Sequence, residues 1–197
     1  MLLGINMIHK KIGLSLIAIL FIFETLNWLK ILNFNIFFTW RGLLITTIIA
    51  VIILESINFY VRKKTKQQLK GWVYLCAAFL LYFDAIGDTL GLYQISWYDQ
   101  VAHLSAGFWA MLMLYTVFLQ IKLQVSLRGK LLFAWCITAT IGTVYEIEEY
   151  IEDLVYKTNR LGDGFDTAND LLMNNSGALL MLLVITLFWH FHYKKNK

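Results

Sequence analysis

Apolar residues run along this chain in long, nearly unbroken stretches separated by short polar breaks. Six stretches reach the roughly 20 residues that a helix needs to cross a bilayer core. They lie at about 12–32, 42–61, 71–93, 99–121, 131–153 and 170–192. Strands of a membrane barrel would instead alternate over about ten residues. The pattern predicts an all-α polytopic transmembrane bundle of about six helices, a single integral membrane domain over 1–197. The first stretch follows Lys10 and Lys11 but continues through Glu24 without a small-residue cleavage site, so it reads as a span and not as a cleaved signal peptide.

The breaks are unequal in charge. Lys10 and Lys11 precede the first stretch, and Arg62, Lys63, Lys64, Lys66 and Lys70 separate the second from the third. Lys122, Arg128 and Lys130 separate the fourth from the fifth, and Lys194, Lys195 and Lys197 follow the sixth. Thirteen of the 17 Lys and Arg therefore fall on one side, leaving Lys30, Arg41, Lys157 and Arg160 on the other. The positive-inside rule places both termini in the cytoplasm (N-in, C-in). Composition agrees: 59% of residues are apolar, 15% are charged, and there is no proline. A disordered chain is excluded, as is a disulfide scaffold, since there are two cysteines. The net charge of +4 calls for no nucleic acid; topology and anionic headgroups in the lipid bilayer account for it.

On this topology 12 of the 13 acids fall at or just below the outer face; Glu55 is the exception. Asp153, Asp163, Glu148 and Glu152 read as interfacial groups solvated by headgroups. Asp84, His103 and Glu146 lie deeper, where a charge costs about 2.5–3.5 kcal/mol on the milder scale, so they should face the bundle interior. Helical spacing groups them: Asp84 with Asp88; Asp99, His103 and Gly107; Glu146, Glu149 and Asp153; Asp166, Asp170, Asn174 and Gly177. Residues at such steps share one helix face, and the glycines allow close helix approach. The expectation is one polar site built from the last four helices.

Crowded carboxylates in a low dielectric must take protons or share a cation. Asp99, His103, Glu146, Glu149, Asp166 and Asp170 are the candidate ligands for a divalent metal: Mg²⁺, Mn²⁺ or Ca²⁺ on oxygens alone, Zn²⁺ or Fe²⁺ if His103 joins. Glu146, Glu149 and Asp99 are the candidate catalytic acids and bases. Asp84, Asp88, Asp163 and Asn174 are placed around them as supporting or substrate-contacting groups. The corresponding activity is a metal-dependent hydrolase or transferase acting on a lipid-linked or cell-envelope substrate. An ion- or proton-coupled transporter using the same carboxylates, and a non-catalytic partner protein whose polar stripes lock the bundle, remain alternatives.

The string Tyr98-Asp99-x-x-x-His103-x-x-x-Gly107, then Tyr145-Glu146-x-x-Glu149-Tyr150, then Gly162-Asp163-x-Phe165-Asp166-Thr167-x-x-Asp170 and Gly177-Ala178 resembles the YjdF-like family of bacterial inner-membrane proteins. The resemblance covers about 71–192. The pairing of Asp99-x-x-x-His103 with Asp170 to Ala178 is also similar to VanZ-type membrane proteins, which implies a cell-envelope setting in a bacterial inner or plasma membrane. VanZ-type sequences carry an Arg a few residues before that Asp; here Arg160 stands farther off.

Other chemistries fit less well. Asp163-Gly164-x-Asp166 lacks the Gly and Ala-Arg that follow the second Asp of CDP-alcohol phosphotransferases. Cys76 and Cys136 fall toward the cytoplasmic ends of their stretches, and Ser105 points away from His103 on a helix. His9, His190 and His192 read as boundary residues. Trp28, Trp40, Trp72, Trp97 and Trp189 sit near span ends, as interfacial anchors do.

Overall fold

The computed structural model describes residues Leu2–Lys194. Lys195 and Lys197, and the side chains of His192 and Lys194, lie outside the described residues. Six α-helices follow one another: α1 (Leu2–Trp28), α2 (Trp40–Thr65), α3 (Gly71–Thr89), α4 (Ser96–Gln120), α5 (Leu127–Tyr156) and α6 (Gly164–Lys194). A single 3-10 turn, Leu92–Gln94, joins α3 to α4. No strand occurs among the described residues. All six helices are long and apolar enough to cross a membrane. Large apolar side chains such as Ile19, Ile52, Phe133, Ile147, Leu183 and Phe188 point outward along them. A soluble helix would carry its polar face there.

Each predicted stretch contains a helix, but the ends move. Hydropathy stops at the first charges, whereas backbone hydrogen bonding continues through them. Lys10 and Lys11 accordingly stand on α1 itself, and Arg62, Lys63 and Lys64 form the last turn of α2, where positive charge complements the helix dipole. With no proline to stop them, α2 and α5 end on Lys66 and Lys157 in the left-handed conformation, whose N–H groups return to Arg62 and Asp153 carbonyls. α6 starts at Gly164, which brings Asp166 into its first turn.

Two compact units form. One comprises α1 to α3 with the chain through Asp99, together with Leu119–Lys122. Its core includes Ile17, Leu20, Leu43, Val61, Leu69, Val73 and Tyr74. α3 starts directly on α1: the Gly71 N–H donates to Asn6 Oδ1 at 2.6 Å, and a Cβ on Gly71 would lie 2.1 Å from the Asn6 carbonyl oxygen. Glu55, the one acid set apart by topology, is held at this end by Lys10 (3.2 Å), the Tyr74 hydroxyl (2.7 Å) and Asn58 (3.0 Å).

At the other end of this unit Asp88 is fully buried and its Oδ1 accepts the backbone N–H groups of Phe37 (3.0 Å) and Phe38 (2.7 Å). It thus pins the α1–α2 connection to the end of α3. Hydrogen bonds to a charged acceptor contribute about 1.5–3 kcal/mol, so Asp88→Ala should lose stability of that order, and Asp88→Asn, which keeps an acceptor, less. Thermal unfolding in detergent measures both; a Asp88→Ala protein melting with the wild type would show that the connection needs no clamp.

The second unit holds Gln100–Phe118 of α4 together with α5 and α6. Met111, Tyr115, Leu131, Ala134, Ala178, Met181 and Ile185 form the core where the three helices meet. α4 and α6 touch backbone to backbone. A Cβ on Gly107 would lie 2.0 Å from the Asn174 carbonyl oxygen, and one on Gly177 would lie 2.0 Å from that of Leu104.

Candidate functional site

The close α4–α6 approach brings His103 against Asn174. The imidazole is 6% exposed, and its Nδ1 is 2.9 Å from Asn174 Nδ2. Its other nitrogen, Nε2, is 3.8 Å from Asp170 Oδ1, one turn earlier on α6. Glu146 of α5 places Oε1 3.8 Å from Nδ1. Three helices therefore present a histidine, an amide and two carboxylates to one buried point, all less than a tenth exposed. Asp99 joins from one turn earlier on α4. That proximity belongs to the continuous helix, where residues four apart are neighbours.

Asp99, His103 and Asp170 are the group among the described residues that offers three ligand atoms mutually within 4.8 Å. Donors that share a cation at about 2.0–2.2 Å lie roughly 3–4 Å apart, so the trio must draw in by at most about 1–2 Å. Two carboxylates and a neutral imidazole also match the charge of a dication. The ring has two states open to it. When the Asn174 amide nitrogen donates, the imidazole accepts at Nδ1 and carries its proton on Nε2. When the amide turns over, Nδ1–H donates to the amide oxygen and Nε2 presents a lone pair toward Asp170.

A second cluster lies beside the first. Arg160, in the α5–α6 connection, is only 8% exposed. Its Nε donates to Glu149 Oε1 at 2.9 Å, its Nη2 donates to the Tyr145 hydroxyl at 2.6 Å, and its Nη1 is 3.8 Å from Glu152 Oε2. The Tyr145 ring stands edge-on to the His103 ring, centroids 6.0 Å apart, and so links the clusters. Asp153 fixes the connection that delivers the guanidinium: it accepts the N–H groups of Arg160 (2.7 Å) and Leu161 (3.0 Å) and the Thr158 hydroxyl.

Of the residues singled out in sequence, the structure brings together Asp99, His103, Glu146, Asp170 and Asn174. Glu149 sits in the neighbouring cluster, on Arg160. Asp166 is half-buried in the first turn of α6 against Gly162, and exposed Asp163 caps that helix by accepting the N–H groups of Phe165 and Asp166. Asp84 and Asp88 make their contacts within the other unit, Asp84 accepting the Tyr93 hydroxyl at 2.6 Å. Glu152 corrects the interfacial reading: it is 4% exposed and turned toward Arg160, because residues 146, 149 and 152 share one helix face. Sequence reasoning missed Arg160 as a buried member. The available signal was the run Glu146, Glu148, Glu149, Glu152 and Asp153 on a span with no base nearer than the following connection.

Six helices long and apolar enough to cross a membrane, with a buried His/Asp cluster held by α4, α5 and α6, define a multi-pass integral membrane protein. The family model described as "Predicted membrane protein (DUF2238)" matches residues 12–191, and the chain belongs to that family. No curated protein and no solved structure matches the chain.

Proposed function

We propose that this protein is a metal-dependent membrane enzyme, a hydrolase or transferase acting on a lipid-linked or cell-envelope substrate at the outer leaflet of a bacterial plasma membrane, with both termini cytoplasmic. The observation that carries this reading is the convergence of Asp99, His103 and Asp170 within 4.8 Å inside a membrane-spanning bundle. A nitrogen donor in the set favours Zn²⁺ or Fe²⁺ over the oxygen-preferring Mg²⁺, Mn²⁺ and Ca²⁺. Bound there, such an ion supplies Lewis-acid polarisation and a more acidic water.

The chain's own groups divide the remaining tasks. Asn174 orients the imidazole and selects its tautomer, the role an outer hydrogen-bond partner plays for a metal-bound histidine. Glu146, beside the ring, is placed to take a proton from an attacking hydroxyl. Arg160 holds Glu149 and Glu152 in place as counterion, and Tyr145 carries that order to the ring. The similarity of the Asp99-x-x-x-His103 and Asp170 to Ala178 strings to VanZ-type proteins supports the cell-envelope setting.

Metal analysis of full-length protein purified without chelator tests the reading. About one transition-metal ion per chain is expected in the wild type, with at least a tenfold weaker apparent affinity in His103→Ala and Asp170→Asn proteins that still elute as folded species. A wild type free of metal after gentle purification, or variants that retain full occupancy, would remove the metal from this site.

A further inference from the structure

The first unit contains a buried acid that none of the chemistry above uses. Glu24, in the outer half of α1, is 1% exposed, and so is Thr47 of α2, whose hydroxyl donates to Glu24 Oε1 at 3.1 Å. This is an unusual use of a threonine in this chain. Thr138, Thr140, Thr143 and Thr186 each donate to the carbonyl four residues earlier on their own helix. Thr47 instead turns its proton to the acid of the neighbouring helix.

The second carboxyl oxygen, Glu24 Oε2, is buried and has no hydrogen-bond partner among the described residues. Asn27, one turn along, is committed elsewhere: its amide nitrogen donates to the Phe23 carbonyl, and its oxygen accepts the Phe34 N–H. Among the described residues, the titratable groups in electrostatic reach are Asp84 and Tyr82 of α3, and both are acids. Tyr82 donates its own proton to the Leu16 carbonyl. Arg41, in the first turn of α2, stacks on Trp28 at 5.7 Å. A carboxylate inside a membrane span must be neutralised, and among the described residues Glu24 is offered one hydroxyl and no cationic side chain.

We propose that Glu24 and Thr47 form a site for a small monovalent cation, at which the carboxyl reversibly takes up a proton or a sodium ion. Such a site gives the first unit an ion-binding function of its own. It shares no residue with the metal group, so either reading can fail without the other.

Dicyclohexylcarbodiimide, an apolar reagent that modifies protonated carboxyls, is the test. Full-length protein in liposomes is labelled across a pH series, with sodium or potassium as the salt, and the modified peptide is located by mass spectrometry. Glu24 should be labelled and Glu24→Gln should not. Labelling that falls several-fold in sodium but not in potassium identifies sodium as the ion. Labelling that falls several-fold as pH rises, and is indifferent to sodium, identifies the proton. No labelling of Glu24 at any pH, or labelling that ignores both pH and sodium, overturns the proposal.

Discussion

Replacing Arg160 by methionine is expected to cost about 3–5 kcal/mol, the range found when one partner of a buried ion pair is removed and the other charge is left behind. The argument rests on burial. Arg160, Glu149 and Glu152 are 8%, 6% and 4% exposed, so water cannot replace the lost guanidinium. Methionine preserves much of the alkyl volume, which separates loss of charge from loss of packing. The carboxylates then become the destabilising element, and neutralising them should recover stability: Glu149→Gln in the Arg160→Met background should melt higher than Arg160→Met alone. In the wild-type background the same Glu149→Gln change should be destabilising. That reversal of sign is the diagnostic, read as thermal unfolding in detergent over a double-mutant cycle. An Arg160→Met protein that melts like the wild type would mean that the buried acids do not depend on this base. The Tyr145 hydroxyl loses a 2.6 Å donor in the same variant, so the ring beside His103 should also lose order.

Parts of this architecture are plain in the sequence, and the physical reason is the length scale of the bilayer. A run of about 20 apolar residues is a strong, local signal, so six helical spans follow from it. Helix ends do not, because charge terminates hydropathy without terminating a helix; α1 carries Lys10 and Lys11 for this reason. The site divides along the same line. Shared faces are local, so His103 and Asp170 were identifiable as inward-facing. Which stripe meets which is set by tertiary packing, and the i, i+4 pair Asp84 and Asp88 turns to Tyr93 and to the Phe37–Phe38 backbone. Asn174, placed among supporting groups, reaches the imidazole directly. Arg160 was hidden because a single base in an outer connection reads as solvated until Asp153 is seen to fold that connection inward. Glu24 was legible only as a lone acid in an apolar run; its partner Thr47 lies 23 residues away.

Gly107→Ala should disable the His103 cluster without altering any group in it. The added methyl would lie 2.0 Å from the Asn174 carbonyl oxygen and 2.8 Å from its carbon. These are backbone atoms of an α-helix and cannot rotate aside, so α4 and α6 must part by about 1 Å locally. The His103–Asn174 contact of 2.9 Å would then stretch beyond hydrogen-bond range, freeing the imidazole to turn. Two energies oppose each other. Alanine is favoured over glycine within a helix by about 1 kcal/mol, whereas overpacking costs about 1–3 kcal/mol and occasionally more. Because the clash is with main chain on a facing helix, the cost should lie at the upper end and the net change should be destabilising. Gly164→Ala is the control, since nothing lies within 4 Å of its added carbon; it should leave stability unchanged or slightly raised. Thermal unfolding combined with metal occupancy distinguishes the cases. A Gly107→Ala protein as stable as the wild type, with its metal affinity intact, would mean that the two helices yield freely at this crossing. A destabilised protein with metal binding lost, beside an unaffected Gly164→Ala, is the expected result, because the spacing of two backbones sets the geometry of the side chains between them.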